Sequence, residues 1–292
     1  MSQDVLYKHI TLQDFCAGVF FYDNCGRIIN ILIRMIIRMG DNMVVQTKGY
    51  CKYCGKEYAK AGMLRHLQAC KERKNSLSKE IGKRRCRYFE IVISDKYLKE
   101  YWLIIEANEN TTLKELDEFI RDIWVECCGH LSMFTCNDVQ YESCPDTDSF
   151  WGMSSKDMNF RLKDVVEVGD TMLYEYDFGS TTKLVIKIHS CRDGERRNNE
   201  IVILSRNNPL ELVCGKCRNN KARWVNPQAY YYDESPFWCE KCLEKYDVDD
   251  EEYFEPEIFL PICNSPRMGV CGYEGGRIYP DQFEPDTEQG EK

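Results

Sequence analysis

Between residues 87 and 206 the chain alternates short apolar runs with polar breaks. "RYFEIVISD" (87–95) and "EYWLIIEA" (100–107) are β-branched and aromatic runs, each about one strand long. "TTLKELDEFIRDIWVE" follows with helical periodicity, placing Leu113, Leu116, Ile120, Ile123 and Trp124 on one face. Thr112 and Glu115 stand at the spacing of a capping box, which predicts where the helix begins. "TMLYEYDFG" and "TTKLVIKIHS" then read as two strands paired around a turn at Gly179, and "EIVILSR" (200–206) as another. Tyr174 and Tyr176 flank Glu175 in the alternation of a half-buried strand. Strands in hairpins with helices on one face predict an α+β domain, mostly antiparallel, over 87–208.

A different pattern precedes it. "RIINILIRMIIRMG" (27–40) is apolar, but Arg34 and Arg38 interrupt it, and it is shorter than the ~20 residues a membrane crossing needs. Three readings stay open for residues 1–42: a helix packed on the main domain, a segment read from upstream of a start at Met43, or a membrane-surface helix. No membrane partner is favoured. Asp4 lies where a signal peptide would be basic, so a reducing, cytoplasmic setting is expected.

Cysteine changes the picture most. Among seventeen cysteines, "CKYCGKEYAKAGMLRHLQAC" sets Cys51, Cys54, His66 and Cys70 in the order C-x2-C-x11-H-x3-C. Gly55 suits a tight knuckle, a helix over 60–73 would put His66 and Cys70 on one face, and Tyr58 and Leu64 would supply a small core. Cys214, Cys217, Cys239 and Cys242 form C-x2-C-x21-C-x2-C, the spacing of a zinc ribbon lengthened by one residue. Thiolate and imidazole donors in fours suit tetrahedral zinc, so two zinc ions are expected, both structural. Cys263 and Cys271 could assist a metal but read more readily as a buried thiol and a turn cysteine, and Cys127 and Cys128 as thiols without a catalytic base.

Charge is uneven. Residues 43–86 carry twelve Lys/Arg against three Glu, whereas 87–292 carry 23 basic and 41 acidic side chains. A basic arm on an acidic body suits nucleic acid, DNA or RNA, or an acidic partner. The contacts expected from the finger are Lys52, Lys56, Lys60, Arg65, Lys71, Arg73 and Lys74. Trp224, Tyr230, Tyr231, Tyr232 and Trp238 suit either base stacking or docking of the ribbon, docking being favoured. "YDVDDEEYFEPE" reads as an exposed acidic connector.

In their order, "YWLIIEANENTTLKELDEFI", "HLSMF" and "GDTMLYEYDFGS" resemble the plasmid pRiA4b Orf3-like family over roughly 87–208, with "NSPRMGVCGY" of similar character. Some members of that family travel on mobile elements, and the resemblance implies a fold without an established activity. Many relatives continue the hairpin as YDFGD-x-W-x-H, where this chain has Ser180, Thr182 and Leu184. Asp177, His130 and His189 remain as scattered polar groups, which is no catalytic constellation. The domain reading is an extension (1–42), a C2HC finger (43–75), a basic linker (76–86), the α+β domain (87–208), a four-cysteine ribbon (209–245) and an acidic segment (246–292). The function expected is nucleic-acid binding or regulation through the finger. The alternative is a protein–protein adaptor in a translation or mobile-element complex, with an enzyme less favoured.

Overall fold

A computed structural model describes residues 46–79, 85–145, 155–196, 201–232, 235–246 and 259–286. The 1–42 extension, Lys83 and Arg84, and the acidic stretch 247–258 lie outside the described residues, as do the side chains of Tyr230, Tyr231 and Tyr232.

The first elements are β1 (Lys48–Tyr50) and β2 (Glu57–Ala59), an antiparallel hairpin followed by helices α1 (Lys60–Ala69) and α2 (Lys71–Ser78). The single helix expected over 60–73 is broken, because Cys70 is extended (φ −60, ψ 120). Next come β3 (Arg85–Asp95), β4 (Trp102–Asn108) and α3 (Leu113–Ile120), which runs into a π-helical turn at Arg121–Val125. β5 (Ser132–Cys136) and β6 (Val139–Glu142) are joined by Asn137 and Asp138, both at positive φ (48 and 62), as a two-residue hairpin of primed type requires. The domain continues with β7 (Lys156–Asp157), α4 (Leu162–Val165), β8 (Thr171–Tyr176), β9 (Thr182–Glu195) and β10 (Val202–Arg206).

Among the described residues, eight strands form one sheet in the order β10-β4-β3-β9-β8-β5-β6-β7, antiparallel except for β6 with β7. The fold is thus α+β with a mostly antiparallel sheet, as the alternation of apolar runs and turns implies. The predicted helix face, Leu113, Leu116, Ile120, Ile123 and Trp124, is wholly buried against Ile91, Ile93, Leu103 and Ile105. Alternation along β4 sends Trp102 and Ile104 to the other face, where they pack with Val92, Leu204, Met63 and Leu67. The finger therefore covers the sheet's second face, which is why every residue of β4 is buried. Its edge also extends the sheet: Lys52 N–H donates to Leu204 O (2.9 Å) and Asn208 N–H to Lys48 O (2.7 Å). Only glycine fits at 49, since a Cβ there would overlap the Arg206 carbonyl.

The capping box is formed. Thr112 Oγ1 accepts from Glu115 N–H (3.2 Å) while Glu115 Oε2 accepts from Thr112 N–H (2.6 Å). Thr112→Ala should cost about 1 kcal/mol. A urea titration should show a lower midpoint with an unchanged slope.

β11 (Trp224–Val225), a 3-10 turn (Pro227–Tyr232), β12 (Phe237–Trp238), the short helix α5 (Glu240–Leu243) and β13 (Leu260–Pro261) are the remaining elements among the described residues. The last three strands form their own sheet, β12-β11-β13, over a core of Ala222, Val225, Phe237, Cys263, Met268 and Tyr273. No helix among the described residues is long and apolar enough to cross a membrane.

Candidate metal centres

The hairpin β1–β2 and the last turn of α1, with the break that follows it, bring Cys51, Cys54, His66 and Cys70 together, their ligand atoms all within 4.8 Å of one another. Gly55, in the left-handed region (φ 67), closes the knuckle by donating its N–H to Cys51 O (2.9 Å). Cys54 Sγ lies 3.2 Å from His66 Nε2, and Tyr58 stacks on the His66 ring at 4.5 Å. Burial, aided by the charge of Lys56, lowers the His66 pKa and favours the neutral imidazole that a metal requires. Burial pushes the Cys51 thiol up to about 12, so its ionisation needs a cation beside it.

The ribbon repeats the device. Cys214, Cys217, Cys239 and Cys242 meet within 4.8 Å, two of them from the turn before β11 and two from the start of α5. Arg218 takes the place of Gly55 here, at φ 55, with its N–H on Cys214 O (2.8 Å). The backbone N–H groups of Asn220 and Asn219 hold the Cys217 thiol down to about 6. Trp238 is buried edge-on to Phe259 (5.3 Å) and Tyr246 (5.5 Å), and Trp224 donates to Glu240 Oε2 (2.8 Å). These two aromatics pack the ribbon, so Trp238 offers no face to a base.

A third group was not expected from the sequence. Cys127, Cys128, His130 and Cys271 also bring their ligand atoms within 4.8 Å. The turn cysteine and the two thiols at the helix end thus share one place. Among the described residues, three Cys/His clusters that can hold metal ions exist where two were foreseen.

Beside the third cluster lies the turn singled out for its polar groups. Asp177 adopts φ 64, and its Oδ1 accepts the N–H groups of Gly179 (3.0 Å) and Ser180 (3.1 Å). Arg267, fully buried, donates to Asp177 Oδ2 (2.7 Å), Thr182 Oγ1 (3.1 Å) and Ser180 O (3.0 Å). Against the burial that would raise it, these contacts hold the Asp177 carboxyl below its usual range. His130 Nε2 is 3.5 Å from Asp177 Oδ2. His189 stands seven residues beyond Thr182 on β9, roughly 20 Å along the strand. Two of the three scattered groups converge, and the third does not.

Among the expected nucleic-acid contacts, Arg73 is a correction. Its side chain is 6% exposed and bridges Glu90 Oε2 (2.7 Å) and Glu106 Oε2 (3.3 Å), because α2 lies against β3 and β4. Lys52 pairs with Asp286 (2.6 Å). Lys60 is half-buried, and burial together with Lys99 lowers its pKa. Lys56, Arg65, Lys71 and Lys74 face solvent.

A family profile described as plasmid pRiA4b ORF-3-like protein matches residues 89–252, more than half of the 292-residue chain. The chain belongs to this family. The match runs past residue 208, the end expected from the sequence, and takes in all four ribbon cysteines, whereas the finger and Cys271 of this family member lie outside it. Among solved structures, the protein of unknown function MM3350 from Methanosarcina mazei Go1 is similar at 16% identity, covering 59% of this chain and 96% of that one, with a TM-score of 0.34. No curated protein matches the chain.

Proposed function

We propose that this family member is a zinc-dependent nucleic-acid-binding protein whose finger supplies the contact surface. Zinc suits the donor sets: three thiolates with one imidazole in the finger, and four thiolates in the ribbon. With four protein ligands each, both sites are closed to substrate and act by fixing shape. The observation that carries the reading is the placement of cations on the finger. Lys56, Arg65, Lys71 and Lys74 face solvent, within an arm of twelve Lys/Arg against three Glu on an otherwise acidic chain. The mechanism is neutralisation of backbone phosphates, with the ion and the sheet holding the cations in place. Base stacking by Trp238 has no part in it, since that ring is buried.

Four phosphate contacts imply a salt slope near −3.6 on duplex DNA, so affinity should fall about 10²-fold between 50 and 200 mM salt. Fluorescence anisotropy with a labelled duplex and a labelled single-stranded RNA measures this. The double variant Lys71→Glu, Lys74→Glu should weaken binding and flatten the slope while keeping its metal. Binding to neither nucleic acid, or binding indifferent to salt, overturns the reading and leaves the adaptor alternative.

A further inference from the structure

The third cluster stands apart from both modules, and its geometry is that of a coordination shell. The π-helical turn ends at Val125, and Glu126 is extended (ψ 115), which carries Cys127 and Cys128 off the helix. Gly129, at φ 81, turns the chain so that His130 comes back beside them. The fourth donor arrives from far along the chain on the loop after β13, where Cys271 adopts φ 51. That loop is seated on the π-helical turn: Ser265 Oγ donates to Trp124 O (2.6 Å), Trp124 Nε1 to Asn264 O (3.1 Å) and Arg277 N–H to Asp122 O (2.9 Å).

Cys128 Sγ is 3.7 Å from Cys127 Sγ and 3.8 Å from Cys271 Sγ. Disulfide sulfurs sit about 2.05 Å apart. The sulfur–sulfur edge of a tetrahedron around an ion with ~2.3 Å bonds is about 3.8 Å. His130 Nε2 lies 3.0 Å from Cys128 Sγ and 3.3 Å from Cys271 Sγ, on the same shell. Asp177 is not a fifth donor, since Oδ1 already accepts two backbone N–H groups and Oδ2 the Arg267 guanidinium. The guanidinium also reaches Cys127 Sγ (3.4 Å). Three thiolates around a divalent ion leave one excess negative charge, and Arg267 is the cation placed to balance it.

We propose that Cys127, Cys128, His130 and Cys271 bind a third zinc-class ion that staples the C-terminal loop to the family domain. On binding, the three thiols release their protons to solvent, and no oxidant or reductant takes part. The site is incomplete without the tail, because Cys271 lies beyond the segment that matches the family. Since Cys128 and Cys271 are exposed, this ion should exchange first under chelation.

The test uses the reduced full chain reconstituted with excess zinc and freed of unbound ion. Wild type should retain three ions, and Cys271→Ser and Cys128→Ser two each. Alkylation of Cys128 and Cys271 by iodoacetamide should be slowed about tenfold or more by zinc, which a purely structural role for these thiols would not produce. Trypsin should cut after Arg277 faster in both variants, with nucleic-acid binding unchanged. Two ions in wild type, or equal alkylation with and without zinc, overturns the staple. Should one variant fail to fold, the other variant and the wild-type alkylation still decide the matter.

Discussion

Removing the proposed zinc from the first centre is expected to loosen the main sheet as well as the finger. The sequence division into a finger (43–75) and an α+β domain (87–208) treats the two as separate units. In the structure Cys51 and Cys70 belong to one apolar cluster with Val92, Trp102, Ile104 and Leu204. Structural zinc contributes roughly 10–16 kcal/mol of apparent binding free energy in isolated finger peptides at neutral pH. Without the ion the buried Cys51 thiol stays protonated, the knuckle has nothing to close on, and the finger side of β4 meets water. Cys54→Ser should therefore lower bound zinc by one ion per chain and reduce hydrogen-exchange protection along β4 and β10. Cys217→Ser should also remove one ion, yet leave β4 protected, because the ribbon's core is a separate cluster. Equal β4 protection in wild type and Cys54→Ser would show that the sheet does not depend on the finger.

Arg73→Ala should destabilise the protein by about 3–5 kcal/mol, the usual cost of leaving a buried ion pair half-complete. Glu90 and Glu106 lie beneath the finger with side chains 4% and 2% exposed, and Arg73 bridges them while also donating to Leu67 O (3.2 Å). Arg192 holds Glu106 through two contacts of 2.7 Å but does not reach Glu90, which would keep the neutral Gln68 amide (3.1 Å) without a cation to balance its charge. Urea unfolding should show the loss directly. A basic-arm reading that counts Arg73 as a phosphate contact expects the opposite pattern, weaker binding at unchanged stability. Lys74→Ala should give that pattern, since Lys74 is exposed on the same helix.

What could be read from the sequence was local in origin. The strands β3, β4, β8 and β9, the helix α3 and its Thr112–Glu115 box follow from neighbouring residues, because backbone geometry ties pattern to element over a few positions. The first two ligand sets are equally local: a CxxC knuckle fixes two donors by itself, and a short connection returns the others. Tertiary structure decided the rest. The third cluster joins Cys128 to Cys271 across 143 positions, and no spacing rule links residues brought together only by a loop seating on a π-helical turn. Nor does sequence separate Arg73 from Lys71 and Lys74, three cations in one basic helix. The docking of that helix over Glu90 and Glu106 sends one inward as a counter-ion and leaves the others in water, since a buried carboxylate pair needs a cation and an exposed helix face does not.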